Sequence, residues 1–457
     1  MANTYLSRTP ASAGNRKTMT FSFWLKRGTL ETTNATRLFN TFYNAGANQF
    51  WIRFADSGEG INKISIVSYD SGFNLYLITN AVYRDVSAWY HIVIAIDTTQ
   101  ATSSDRAKLW INGEQVTSFS TATYPSQNYD TNWNVNQANQ IGANGVSSNE
   151  YFTGSMSHVH FIDGTAYDAS TFGETDATTG IWKPKTAPSV TYGTNGFFLK
   201  FENSGSMGTD SSGNANNFTV NGNLTQTVDT PSNVFATLNP LDNSNGTTAV
   251  VSNGNLTLAH TGGANPAHTM LRSTLAVSKG KYYCEYKQTV DGGTNRFGIV
   301  DIEQSDYPTS TNPRVSLFSD GYAYRSDGDK ENNNINSSYG NSYSAGDIIG
   351  VAFDADNGVI WFSKNGTWQN SATIAEIEAG TTTNAAFTGI DTSKSYGFAS
   401  SPYNNQVGTH NFGNGYFGTT PVASAQNPDD GIGIFEYAVP TGYKALCTKS
   451  INAQEYS

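Results

Sequence analysis

Few residues of this sequence have the type and spacing to do chemistry. His158 and His160 stand two apart, so on a strand they would share one face and could chelate a metal ion. No cysteine lies nearby and Asp163 is out of phase, so the pair reads as solvated or hydrogen-bonded imidazoles. His91, His260, His268 and His410 sit apart, and none meets a serine in a nucleophile-elbow context. Glu174 and Asp176 come nearest to the paired acid and nucleophile that cleave a glycosidic bond. Ala177, Thr178 and Thr179 supply no second glutamate, and the segment FGETDATTGI reads as loop. Catalysis is not expected.

Binding is better provided for. Glycan recognition needs aromatic faces for stacking and amides or carboxylates for hydroxyl groups. The stretch YPSQNYDTNWNVNQANQ (124–140) brings together Tyr129, Asp130, Trp133 and Asn134. SDGYAYRSDGDKENNN (319–334) carries Tyr322, Tyr324 and Arg325 among acids and amides. The competing reading is that these aromatics merely plug the ends of the folded layers. Function concentrates on loops held by rigid scaffolds, which ranks both stretches above strand positions.

The elements that must hold these residues are strands. Of 457 residues only 14% are charged, while 25 Phe, 25 Tyr and 44 Gly are present. Aromatic and β-branched residues suit pleated surfaces, and Gly and Asn suit positive-φ turns. In TMTFSFWLKR (18–27), Met19, Phe21, Phe23 and Leu25 alternate with Thr20, Ser22 and Trp24, giving one apolar face. Similar runs occupy 49–55, 63–69, 73–79, 89–97, 107–113 and 196–201, and Asn112-Gly113 predicts a tight hairpin. Small polar residues then take over, as in a linker. Strand runs resume at 255–260, 281–290, 296–302, 348–356, 359–368, 396–403 and 409–414. Asn357-Gly358 and Asn365-Gly366 predict a meander of three strands. Only 372–379 looks helical.

Other classes are set aside by composition. The net charge of −11, without clustered Lys or Arg, argues against nucleic acid. No run of 18 apolar residues suits a membrane helix, and MANTYLSRTPASAGNRK has no apolar core of a secretory signal. Cys284, in KYYCEYK, reads as a small buried thiol, and two cysteines make no disulfide framework.

The first part resembles the laminin-G/concanavalin-A-like lectin superfamily. The resemblance rests on FSFWLKRG (21–28), WYHIVIAID (89–97), KLWINGEQV (108–116) and IGANGVSSNEYFTGSMSHVHFIDGTAYDASTF (141–172). It implies a jelly-roll sandwich and allows one calcium ion at a sheet rim, for which Asp97, Asp105 and Asp163 are the candidates. Its laminarinase-type members carry E-x-D-x-x-E or E-x-D-x-E, which is absent at Glu174. The second part resembles SPRY domains through GKYYCEYKQTV (280–290), RFGIV (296–300), GDIIGVAFDADNGVIWFSKNGTW (346–368) and YGFASSPY…HNFG (396–413). That likeness implies a protein-interaction sandwich in which Asp354 and Asp356 shape a turn. The arrangement as a whole is similar to structural proteins of marine tailed phages, through ANTYLSRTPASAGNRKTMTFSFWLKR, DSSGNANNFTVNG…DTPSNVFATLNPLD and PTGYKALCTKSI.

The expectation is thus an all-β chain of two antiparallel sandwiches. Residues 1–203 form the lectin-like one, 204–245 a polar linker and 246–416 the SPRY-like one. Residues 417–457 form a tail packing on a domain or on a neighbouring subunit. The expected role is a non-enzymatic virion protein, on a fibre or decorating the capsid, made in the host cytoplasm without a signal peptide and released by lysis. Its expected partners are other virion proteins, further copies of itself, and host or environmental polysaccharide, with no nucleic acid, no membrane and no required cofactor. A virion polysaccharide depolymerase and a bacterial surface adhesin are the alternatives.

Overall fold

The computed structural model describes residues 4–43, 47–144, 150–242, 249–262, 268–304 and 312–455. The chain divides into two compact units, Met1–Gln226 and Thr227–Ser457.

The first unit opens with β1 (Tyr5–Arg8), β2 (Thr18–Arg27), β3 (Thr36–Tyr43) and β4 (Asn48–Phe54). There follow β5 (Ile64–Asp70), β6 (Phe73–Thr79), β7 (Trp89–Asp97), β8 (Ala107–Ile111), β9 (Glu114–Val116) and β10 (Phe119–Thr123). β11 (Asn139–Ile141), β12 (Gly154–Asp163), β13 (Gly173–Thr175), β14 (Trp182–Pro184), β15 (Phe197–Leu199) and β16 (Thr219–Asn221) complete it. An eight-stranded sheet runs β10-β6-β5-β4-β3-β11-β1-β16, and a six-stranded one runs β15-β12-β2-β7-β8-β9. The period-two alternation places Phe21, Phe23, Phe50, Ile52, Ile92 and Ile94 in one core between them. Asn112 and Gly113 take φ of 50° and 88°, as a tight hairpin between β8 and β9 requires.

The outward face of the six-stranded sheet is covered by the segment holding β13 and β14. Trp182 donates its indole N–H to His91 Nδ1 at 2.9 Å, and His91 Nε2 meets Ser22 Oγ at 2.9 Å. An indole only donates, so Nδ1 carries the lone pair and Nε2 the proton. His91 therefore donates to Ser22 and cannot act as its base. Tyr192 OH meets His160 Nδ1 at 2.8 Å. Gly173 passes so close beneath Trp182 that a Cβ there would lie 2.4 Å from the ring. Gly173→Ala is expected to cost about 1–3 kcal/mol through this overlap, seen as a lowered melting temperature.

The second unit contains β17 (Ala249–Ser252), β18 (Thr257–His260), β19 (Leu271–Arg272), β20 (Lys281–Val290) and β21 (Arg296–Asp301). Next come β22 (Gly321–Arg325), β23 (Asp329–Asn332), β24 (Ile335–Ser338), β25 (Ile348–Asp354), β26 (Val359–Lys364) and β27 (Thr367–Trp368). β28 (Tyr396–Ser400) and β29 (Val407–Asn411) close the sandwich. One sheet runs β17-β18-β29-β20-β25-β26-β27, with Lys444–Ala445 pairing parallel to β20, and the other β19-β28-β21-β22-β23-β24. Cys284 is fully buried in the core between them, as expected of KYYCEYK.

A second apolar layer covers the other face of β20, β25 and β26. Phe235, Phe435, Tyr443, Ala445 and Cys447 pack there on Tyr283, Ala352 and Trp361. Glu285 anchors this cap: its oxygens accept the N–H groups of Glu436 and Tyr437, both at 2.9 Å. Asn411 Nδ2 and Tyr283 OH donate to the same carboxyl at 3.1 and 3.2 Å.

Three expectations are corrected. The stretch 204–245 is not a separate linker, since its residues up to Gln226 belong to the first unit and those from Thr227 to the second. Asp210 there accepts the N–H groups of Phe198, Ser212 and Asn216, each at 2.8 Å. Such side-chain-to-backbone bonds order a polar segment without apolar alternation. The stretch 319–334 is largely strand, in β22 and β23. Of the two Asn-Gly turns, Asn365-Gly366 has φ of 48° and 79°, whereas at the other only Gly358 is left-handed. There Asp354 accepts Asn357 N and Nδ2 at 3.0 and 2.9 Å and holds a wider turn.

Candidate functional site

The loop aromatics singled out above divide sharply by burial. Trp133 is fully buried, packed against Phe21, Phe39, Phe50 and Phe161. Asn134 is also fully buried, donating to Asp163 Oδ1 at 2.7 Å and accepting from Asn195 Nδ2 at 2.8 Å. Neither can meet a ligand; they close the sandwich end. Tyr129 is half-buried with its hydroxyl 3.2 Å from Ser68 Oγ, and Asp130 is exposed. In the second unit Tyr324 is fully buried among Tyr339, Tyr343 and Phe362. Tyr322 is half-buried, 5.3 Å from Phe387. Arg325 is held by Asp327 at 2.6 Å and by Glu331 at 3.0 Å.

The metal candidates are not brought together. Asp97 accepts from Thr99 and Gln100, Asp105 pairs with Lys108 at 3.0 Å, and Asp163 accepts from Asn15 N and Asn195 N. Among the described residues no three His, Cys, Asp or Glu side chains are grouped to hold a metal ion. His158 and His160 do not alternate as a regular strand would place them. The pairing shifts between Ser157 and His160, and His158 takes φ of 48° at this bulge. Glu174 and Asp176 flank Lys183, at 3.8 and 2.8 Å; Glu174 lies on β13, and Asp176 opens the turn between β13 and β14. The Lys183 hydrogen bond, aided by the N–H groups of Thr179 and Thr178, holds the Asp176 carboxyl well below the usual carboxylate range. Asp176 is therefore no proton donor at neutral pH.

What the structure does assemble lies on the outward face of the eight-stranded sheet. In β4, Phe50, Ile52 and Phe54 point into the core, so Gln49, Trp51 and Arg53 point out. Cross-strand pairing puts Asn40 and Val67 beside Trp51, Arg37 and Ser65 beside Arg53, and Tyr76 beside Val67. The guanidinium groups of Arg37 and Arg53 lie 4.5 and 5.2 Å from the Trp51 ring centre, within cation–π range. The loop after β4 folds back so that Glu59 meets Arg53 at 2.8 Å and accepts Tyr76 OH at 2.8 Å. Asp56 adds a second carboxylate to Arg53 at 3.2 Å, Glu150 pairs with Arg37, and Asn40 donates to Gln140 at 3.2 Å.

Burial dominates the electrostatics here. It pulls the Arg37 guanidinium below its ordinary value against the opposing charge of Glu150. It also pushes the Tyr76 phenol up to about 12, helped by the hydrogen bond to Glu59. Arg37, Trp51 and Arg53 are 6%, 8% and 8% exposed. Among the described residues, Arg37 Nη1, Trp51 Nε1 and Arg53 Nε find no acceptor. All three atoms are closed off from solvent, as is the unpaired indole N–H of Trp133, so they mark tight packing on this face rather than open ligand contacts. The sequence signal for this face was the alternation QFWIRF, whose polar phase carries Trp51.

Comparison with known proteins agrees with the two architectures. Residues 2–170 match the concanavalin A-like lectin/glucanases superfamily, and residues 281–415 match the SPRY domain. A curated relative, the ATP-dependent RNA helicase DDX1 of Xenopus laevis, is 35% identical over 97 residues, which is 21% of this chain. The chain spans 12% of that relative's length. Among solved structures, the SPRY domain of human HERC1 is 18% identical, covering 38% of this chain and 96% of its own, with a TM-score of 0.28. A heptameric SAP-like pentraxin from Limulus polyphemus is 13% identical, covering 36% and 71%, with a TM-score of 0.26. The chain carries a concanavalin A-like lectin domain followed by a SPRY domain.

Proposed function

We propose that this chain is a non-enzymatic binding protein of a tailed-phage virion, whose first domain holds glycan on the Trp51 face and whose second contacts neighbouring proteins. The observation that carries the glycan reading is the outward-facing Trp51 flanked by the Arg37 and Arg53 guanidinium groups, 4.5 and 5.2 Å from its ring centre. The lectin-type match over residues 2–170 agrees with this reading, and the SPRY match suits a protein contact. The virion assignment is supported by the opening, joining and closing segments that resemble phage structural proteins.

Trp51→Ala is expected to weaken binding to a recognised polysaccharide at least tenfold without unfolding the domain, measured by isothermal titration and circular dichroism. Unchanged affinity would remove the site. For the non-enzyme reading, incubation with laminarin and bacterial exopolysaccharides should release no reducing ends. Release that disappears in Glu174→Gln would overturn it. Mass spectrometry of purified virions should find the chain in particles, and its absence there would sink the virion assignment.

A further inference from the structure

We propose that the glycan on this face is a neutral oligosaccharide, one ring of which lies on an aromatic platform formed by Tyr69, Phe73 and Tyr76. The inference rests on the glycan reading above and adds its chemical class and a second contact point. Phe73 is 48% exposed, unusual for so large an apolar side chain. Its ring stacks on Tyr76 at 4.3 Å with an interplanar angle of 14°, and Tyr69 meets it edge-on at 5.2 Å. The three rings thus brace one another at the β5–β6 hairpin, with one aromatic face held open. Such a face carries partial negative charge and attracts the C–H groups of a pyranose ring.

The surroundings of the platform are polar rather than aliphatic. Asn48 donates to Asp70 at 3.0 Å and Asn74 to the Gly72 carbonyl at 3.2 Å. A small aromatic stack bordered by amides and a carboxylate fits a polyol better than an apolar protein surface. The platform is also continuous with the Trp51 site, because the Tyr76 hydroxyl reaches Glu59. Trp51 and Tyr76 stand on β4 and β6 with Val67 of β5 between them. That separation is two strand spacings, or about 10 Å. Val67 is fully buried, so a ligand reaching from Tyr76 to Trp51 must pass over the side chains that cover it and spans more than one sugar ring.

Charge settles the class. Arg37 is paired with Glu150, and Arg53 with Glu59 and Asp56, so two cations face three carboxylates. Among the described residues of this face no positive excess is left to draw a uronate or sulfate group, and the extra carboxylate would repel one.

The test uses the full chain with laminarin and dextran as neutral probes and alginate as the acidic one, titrated at low and high salt. The expected result is binding to a neutral probe with an affinity that salt leaves unchanged. A short oligosaccharide of that probe should bind better than its monosaccharide, and Phe73→Ala should lower affinity about tenfold. Phe73 is half exposed, so this variant should fold normally. Binding confined to alginate and weakened by salt would overturn the inference and leave the glycan reading standing. So would Phe73→Ala binding like the wild type while Trp51→Ala does not bind. Failure of every probe would count against the glycan reading, and the inference would fall with it.

Discussion

Acidification from about pH 7 to about pH 4 should unfold the first domain cooperatively, because it shelters three imidazoles that resist protonation. Burial, the leading cause in each case, holds His91 at about 3 and lowers His158 and His160. In the unfolded chain each would titrate near 6.5. Below that value the unfolded state binds protons that the native state refuses, so stability falls as pH falls. Each refused proton costs about 1.4 kcal/mol per pH unit, so His91 and His160 together cost about 3 kcal/mol per pH unit, and His158 adds to this. Total stability is typically about 5–15 kcal/mol, so two to three pH units suffice. Protonating His91 would also break the Trp182 bond, since Nδ1 would then carry a hydrogen. Urea unfolding of residues 1–226, followed by tryptophan fluorescence across this pH range, should show the loss. A flat stability profile between about pH 6 and pH 4 would contradict the burial of these rings.

A chain ended after Gly415 should lose a folded second domain. Beyond that point Phe435, Tyr443 and Cys447 of the cap and Leu446 of the sandwich core are all fully buried. At about 1.5–3 kcal/mol for each large apolar side chain, their loss approaches the whole stability of a domain. Truncation would also expose Tyr283 and Trp361, and strip Glu285 of two N–H donors. The expected outcome is aggregation on expression; a soluble product with a sharp thermal transition would show the cap to be dispensable. Glu285 gives this domain a distinct pH response. Burial pushes its carboxyl up to about 7, outweighing its four donors. Its contribution is therefore full below the unfolded value of 4.5 and is lost as pH rises to about 7. His268 and His410, held by burial at about 3 and about 4, act in the opposite direction below 6.5. The net acid sensitivity of the second domain should thus be about one proton, smaller than that of the first. Glu285→Gln should steepen it to about two while costing about 1–3 kcal/mol, because an amide NH2 would face donors.

Much of the fold was legible because its signal is local. Met19, Phe21, Phe23 and Leu25 announce β2 by alternation, and Asn365-Gly366 announces its turn by the φ it must adopt. The cap was not legible, since GIFEYAV and KALC show an apolar run but not the face it will cover. The candidate site was the least legible part. Trp133 and Trp51 both sit among amides, yet one plugs the core and the other stands on an outward face. Composition cannot separate the two; only strand phase does, and 124–140 has no phase to read. β22 was missed for a related reason. The acids and amides flanking GYAYR read as loop, whereas Tyr322 and Tyr324 alternate inward.

The proposed glycan-binding surface is the Trp51 face. Its most direct measurement is a glycan array probed in parallel with the full chain and with its Trp51→Ala variant, both confirmed folded. The predicted result is a set of neutral oligosaccharide signals for the wild type that the variant loses. Identical signals from both proteins would place recognition elsewhere and contradict the claim.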